Sequence, residues 1–304
     1  MPRNSKYFDV QHVSKGTSVR IIPKRTIRVA IINDIHVPYH DPTAISLCLK
    51  VLEAVAPEIL IINGDFVDFF AISRFDKNPH RKLMLGEEIQ KARQVLDMFT
   101  SRLKPELWVF LMGNHEERMR MYLWTRAPEL SVLDEIQLPN LLGLNKFKQC
   151  WIVLDYKDTP TYVGEDTVPT VHFPEFFVMH GDKIRMSGNT INLARSIFLK
   201  VLRNALVGHW HRADSYIQMD YYGKSRGCWV IPCLCLQRPH WDSGRIWGQG
   251  LGVTEVNPRG FFKVDIVSFI KDNGNLITFW NGREFSVKIK EGMRSEDLFA
   301  EGAD

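Results

Sequence analysis

The sequence predicts a layered α/β fold. Three observations carry that prediction: apolar runs of strand length at 28–33, 58–63 and 106–112, helix-patterned segments between them, and a cluster of Gly, Asp, Asn or His at the end of each run. The first run, RVAIIN, ends at Asp34. Asp41-Pro42 then supplies a helix N-cap with proline at the first helical position, and the helix reaches about Val55 with Leu47, Leu49, Val51 and Leu52 among its apolar positions. EILIIN is the second strand, stopped by Gly64. Residues 84–103 read as an amphipathic helix, and ELWVFLM as a third strand, stopped by Gly113.

Further along, Arg118 to about Leu133 reads as a helix broken near Pro128, and 157–170 as a polar loop. EFFVMH at 175–180 is another strand, Thr190 to Arg203 a helix, and NALVGH at 204–209 a strand running into a turn. From Tyr216 to Trp280 short strands alternate with glycine and aromatic residues. The acidic stretch from Gly292 reads as a frayed end. The expected organisation is a basic arm over 1–26, one domain over 27–285 and a tail over 286–304.

The 304 residues are 45% hydrophobic and 24% charged, enough for a sizeable core without staples. Five cysteines without a CxxC pair suit buried, reduced thiols and a reducing compartment; Cys233 and Cys235 would face one way in a strand. The first residues lack the apolar segment of a secretory signal, and no apolar run is long enough to span a bilayer, so a cytoplasmic protein is expected. The net charge of +4 is uneven: residues 1–28 hold seven basic residues and the single acid Asp9. Such an arm can touch nucleic acid or simply keep the protein soluble. There is no P-loop and no GxGxxG.

The chemistry concentrates in five clusters: Asp34-Ile-His36, Gly64-Asp65-Phe-Val-Asp68, Gly113-Asn114-His115-Glu116, His180-Gly181-Asp182, and Gly208-His209-Trp-His211. In open α/β sheets the site lies beyond the carboxyl ends of the strands, where these clusters fall. Asp34 and His36, two apart, would face the same way in extended backbone, as would His209 and His211. Gly64, Gly113 and Gly208 suit sharp turns and close approach to backbone. Asp65 has two oxygens with which to bridge two metals. Mixed carboxylate, imidazole and amide donors suit Mn, Fe, Ni, Zn or Co. Glu116 and Glu117 read as acids of a helix first turn. Asp182 reads either as a partner of an imidazole or as a cap.

The order DxH, GDxxD, GNHE, HG, GHxH resembles that of the calcineurin-like metallophosphoesterases, particularly those of bacteria and phages, over residues 34–211. The resemblance implies an α/β fold built as a two-sheet β-sandwich flanked by helices. It implies two divalent metal ions, with manganese first in line: one held by Asp34, His36, Asp65 and His211, the other by Asp65, Asn114, His180 and His209. His115 would be the general acid and Asp68 the residue that orients it. The implied reaction is hydrolysis of a phosphate ester by a water bridging the metals, with His115 protonating the leaving oxygen. Arg118, Arg185, Arg212 and Trp210 are candidate substrate contacts. His40, His240 and Trp241 could reach a substrate, whereas His12, His80 and His172 read as ordinary surface or packing residues.

Three functions compete: a phosphodiesterase or nuclease, a phosphomonoesterase acting on protein or small molecules, and a catalytically inactive binding scaffold. The presence of every donor disfavours the last. The protein phosphatases of the family carry arginine directly after the second aspartate of GDxxD, carry HGG, and lack the last histidine of GHxH. Here Phe69, Asp182 and His211 stand at those positions, which favours a diester.

Overall fold

A computed structural model describes residues 5–14, 16–74, 84–146, 150–156, 167–186, 190–237 and 247–289. Expectations for Arg3, Lys15, His80, His240, Trp241, residues 157–166 and residues 290–304 lie outside the described residues. In chain order the elements are β1 (Phe8–Ser14), β2 (Ser18–Pro23), β3 (Ile27–Ile32), α1 (Pro42–Val55), β4 (Ile59–Asn63), α2 (Leu85–Arg102), β5 (Leu107–Leu111), α3 (Asn114–Arg126) and α4 (Leu138–Leu141). There follow β6 (Trp151–Leu154), β7 (Thr170–His172), β8 (Phe176–Met179), α5 (Leu193–Val201), β9 (Asn204–Val207), β10 (Asp214–Met219), β11 (Ser225–Val230), β12 (Gly250–Val256), β13 (Phe262–Ser268), β14 (Ile270–Asp272), β15 (Asn275–Trp280) and β16 (Arg283–Lys288).

Two large sheets form the sandwich. One runs β13-β12-β3-β4-β5-β6, with β3 to β6 parallel; the other runs β1-β2-β7-β8-β9-β11-β10. Val29, Ile31, Ile59, Ile61 and Val109 of the first meet Val171, Val178, Leu206 and Ile231 on the second sheet's side of one buried cluster. The alternate residues Ala30, Ile32, Leu60, Ile62, Trp108 and Phe110 share a second cluster with the buried side chains of α1 and α2. Burial on both faces explains why these strands are apolar at nearly every position. Asp41 caps α1 by accepting from the N–H groups of Thr43 and Ala44 at 2.8 and 3.2 Å, as its position before Pro42 predicts. A third, small sheet, β14-β15-β16, covers α1.

Three expectations change. Strands β1 and β2 pair antiparallel and β2 joins β7, so part of the segment expected as an arm lies in a sheet. The expected boundary after 285 falls inside β16. The helix expected from Arg118 begins four residues earlier, at Asn114, and 3-10 turns follow it beyond Ala127. All five cysteines are free thiols; Cys233 and Cys235 are buried with Trp247 in a small cluster after β11 rather than in a long strand. Among the described residues, no helix is long and apolar enough to cross a membrane.

Candidate metal centre

The clusters meet where both sheets end. Asp34 and His36 follow β3, Asp65 follows β4, and Asn114 opens α3 just after β5. From the other sheet, His180 follows β8, and His209 and His211 follow β9. Ligand-type atoms of Asp34, His36 and His211 lie within 4.8 Å of one another, as do those of Asp65, His180 and His209.

The backbone that delivers them is not the extended chain the two-residue spacings suggested. The strands stop at Ile32 and Val207, and Asp34, His36, Asp65, His209 and His211 all adopt left-handed φ values between 51° and 69°. Such conformations cost about 1–3 kcal/mol each and cluster at functional sites. The glycines serve close approach, as expected. A Cβ on Gly64, whose φ is +83°, would lie 2.5 Å from His180 Nδ1, and one on Gly113 would collide with the Asp65 carboxylate.

Glu116 holds the Asp65 loop. One oxygen of its buried carboxylate accepts from the N–H groups of Asp65 (2.9 Å) and Gly113 (2.8 Å), the other from those of Phe66 (2.8 Å) and Val67 (3.0 Å). Glu116 lies in the first turn of α3, as its sequence position predicts, and the clamp is a further role. The signal available was its spacing from Gly113, that of a capping box, with the carboxylate bonding back to the Gly113 N–H.

In the first donor group, His36 Nε2 and His211 Nε2 are 3.1 Å apart, and His211 Nε2 is 3.1 Å from Asp34 Oδ1. His36 Nδ1 is 3.1 Å from Asp68 Oδ1, which leaves Nε2 facing the group. In the second, His180 Nδ1–H donates to the Asn63 carbonyl at 2.8 Å, turning Nε2 to within 3.2 Å of Asp65 Oδ2. His180 Nε2, His209 Nδ1 and Asn114 Oδ1 are all buried without a hydrogen-bond partner. Buried polar atoms are nearly always partnered, so three orphaned electron-pair donors, two of them beside the Asp65 carboxylate, fit a cation site. The electrostatics agree. Burial alone would raise the carboxyl pKa values, but His211 and His36 hold Asp34, and His115, His180 and His36 hold Asp65, well below the usual range. Burial alone would lower His180, but Asp65 pushes it up to about 10. His209 goes the other way, to about 4, through burial and the neighbouring His180. The carboxylates draw protons onto His36 and His180 as they would draw a divalent cation.

Asp68 serves two rings. Its Oδ1 is 3.1 Å from His36 Nδ1 and 3.1 Å from His115 Nδ1. His115 Nδ1–H donates to the Asp68 carbonyl at 2.9 Å, and Arg118, one turn on, donates to His115 Nε2 at 2.9 Å and to the Asp68 carbonyl at 2.7 Å. Arg118 is thus brought to the site. Arg212 is exposed and spends its guanidinium on the carbonyls of Thr190 and Ile191, 3.3 and 3.4 Å away. Arg185 is exposed and accepts, through its carbonyl, from Lys200. Trp210 packs over Gly181 and edge-on to His209. Trp247, not anticipated, lies edge-on to His211 with ring centroids 4.1 Å apart. Asp182 accepts from the Tyr156 hydroxyl at 2.7 Å and pairs with Lys183 at 3.1 Å. Phe69 is fully buried in the core cluster it shares with α1 and α2.

The chain resembles several solved structures at low identity. Vacuolar protein sorting 29 from Cryptosporidium parvum is 12% identical, with 87% of this chain and 97% of that one covered at a TM-score of 0.41. Wild-type Vps29 complexed with zinc from Entamoeba histolytica is 10% identical, covering 86% and 98% at 0.37. YfcE, a phosphoesterase from E. coli, is 12% identical, covering 87% and 100% at 0.32. No curated protein matches. The sequence itself matches the calcineurin-like phosphoesterase family over residues 27–227, well over half of its length. By that match, with the donor clusters where both sheets end, the chain belongs to the calcineurin-like phosphoesterase family.

Proposed function

We propose that the protein is a phosphoester hydrolase working with two divalent metal ions, acting by preference on phosphodiesters and placed in a reducing compartment such as the cytoplasm. The observation that carries this reading is the set of orphaned donors Asn114 Oδ1, His180 Nε2 and His209 Nδ1, with the two imidazoles gathered at Asp65. In this reading Asp34, His36, Asp65 and His211 hold one ion and Asp65, Asn114, His180 and His209 the other. Bound there, divalent ions supply charge neutralisation of the phosphoryl oxygens and acidification of water, and manganese suits this donor set. The chain's own part is to orient and to move a proton. Asp68 fixes the rings of His36 and His115. His115 carries its proton on Nδ1 while Nε2 accepts from Arg118, so to protonate a leaving oxygen Nε2 must gain a proton and Arg118 must turn away, most naturally toward the substrate.

The diester preference rests on Phe69, which offers no cation after Asp68, and on the presence of His211. Arg118 beside His115 favours the second reading, a monoesterase, because a guanidinium can grip a dianion. Metal analysis of protein purified without chelator should return two ions per chain, and Asp65→Asn should lose both occupancy and activity. A single ion remote from Asp65 would end the two-metal reading. Turnover of bis-nitrophenyl phosphate, nitrophenyl phosphate and a phosphopeptide, compared before and after Arg118→Ala, decides between esters. Diester turnover that survives Arg118→Ala while monoester turnover collapses supports the preference; a phosphopeptide cleaved far better than any diester overturns it.

A further inference from the structure

Helix α3 leads away from the site along a groove of about 690 Å³. Asn114, Arg118, Met121, Tyr122 and Arg126 line it at spacings of three and four, one face of the helix. Arg74 and Lys183 also line it. Four cations therefore line the groove against one carboxylate, Glu117, which already pairs with Lys183 and Arg120 at 2.8 Å each. Of the 13 residues of α3 only Glu116 and Leu123 are buried, so the helix gives most of its surface to solvent and the groove rather than to the core. Tyr122 is 42% exposed and Met121 46%, an aromatic and a thioether set between Arg118 and Arg126.

We propose that this groove binds a single strand of nucleic acid, with α3 as its rail and Tyr122 as a stacking platform. The inference rests on the phosphodiesterase reading and names its substrate class. Its length fits: from Asn114 to Arg126 the helix rises about 18 Å at roughly 1.5 Å per residue, the span of about five nucleotides stacked at some 3.4 Å each. Its chemistry fits as well. A row of cations tracks a phosphate backbone, and an exposed ring takes a base of any sequence. A mononucleotide or a small ester would fill only the end at Asn114 and leave Tyr122 and Arg126 without a role.

The test is fluorescence anisotropy of the full chain with a labelled 12-nucleotide single strand, in chelator so that the strand survives. Tyr122→Ala should weaken binding by about tenfold or more, as loss of one stacked base does, and Tyr122→Phe should restore it. Arg126→Ala should flatten the dependence of log affinity on log salt by about 0.7, the contribution of one phosphate of a single strand, while Arg126→Lys should keep the slope. Both side chains are exposed, and circular dichroism checks that the variants fold. A duplex bound as tightly as the strand, or Tyr122→Ala binding like the parent, overturns the proposal. Its failure is separable from failure of the diesterase reading: metal-dependent turnover of bis-nitrophenyl phosphate with no Tyr122-dependent strand binding removes the groove alone. Strand binding that depends on Tyr122, in a protein that hydrolyses only monoesters, upholds the groove and removes the diesterase.

Discussion

At the scale of single residues, the site depends on Glu116 and Asp68, which hold its loops and rings in place. Glu116 satisfies four buried N–H groups, and each left unpaired costs about 1–3 kcal/mol. Glu116→Ala should therefore lose metal occupancy as well as stability, with Glu116→Gln between it and the parent, read by metal analysis and thermal melting. His115→Ala should keep the metals and lose roughly 10²–10⁴-fold in rate, less on a nitrophenyl ester whose leaving group needs no proton. Equal losses on good and poor leaving groups would remove the acid role. Asp68→Asn should be milder, about 10–100-fold, and should also weaken metal binding because Asp68 orients His36. Glu88 gives a pH signature. Burial, with Asp68 nearby, raises its pKa to about 8 against partial relief from the backbone N–H groups of Phe70 and its neighbours. Its protonated form is the stable one in the fold, so stability from this group is complete below about pH 4.5 and is lost as pH rises through 8. The melting advantage of Glu88→Gln should grow across that window and level off above it; a flat difference would contradict the burial argument. That the site residues would come together was legible because their spacing forms five clusters in order. Their left-handed conformations and the Glu116 clamp were not, because both depend on how the strand ends pack against each other.

At the scale of elements, legibility followed burial. Strands β3, β4 and β5 are covered on both faces and announce themselves as unbroken apolar runs. β1 is mostly half-buried or exposed, and its residues FDVQHVS carry too little periodicity to be told from an extension. The start of α3 was marked in the sequence only by its first-turn acids, Glu116 and Glu117, because Gly113 caps it without a side chain. The β1–β2 pair changes what a truncation means. Phe8, Val19 and Ile21 are buried, and at about 1.5–3 kcal/mol each their removal approaches the whole stability of about 5–15 kcal/mol of a typical protein. Deleting residues 1–26 should give an unstable or aggregating protein with β7 exposed as an edge, measurable as lost solubility and a lowered Tm. A soluble, fully active truncation would show that the pair contributes little. The role of its positive charge is better read from Arg20→Glu, since Arg20 is exposed, whereas Lys24 and Arg25 already pair with Asp9 and Glu58.

At the scale of the whole molecule, ions bound at the site should stabilise the folded chain. An ion at a hundred times its dissociation constant adds about 2.7 kcal/mol, which for a chain of this size is on the order of 4 °C in Tm per site. Chelation should lower the melting temperature by that order, and Asp65→Asn should abolish the response; a Tm indifferent to chelator would mean the donors do not hold an ion. One feature of the site reaches into the time domain. Its donors come from two sheets, Asp34, His36, Asp65 and Asn114 from one and His180, His209 and His211 from the other. An ion there is a stitch across a seam, and a stitch can be sewn only after both edges have arrived. It should therefore slow escape from the native state without hastening arrival: rising manganese should depress the unfolding rate in denaturant and leave the refolding rate unmoved. A refolding rate that climbs with manganese would show instead that the two strand ends find each other before the rest of the sandwich has closed.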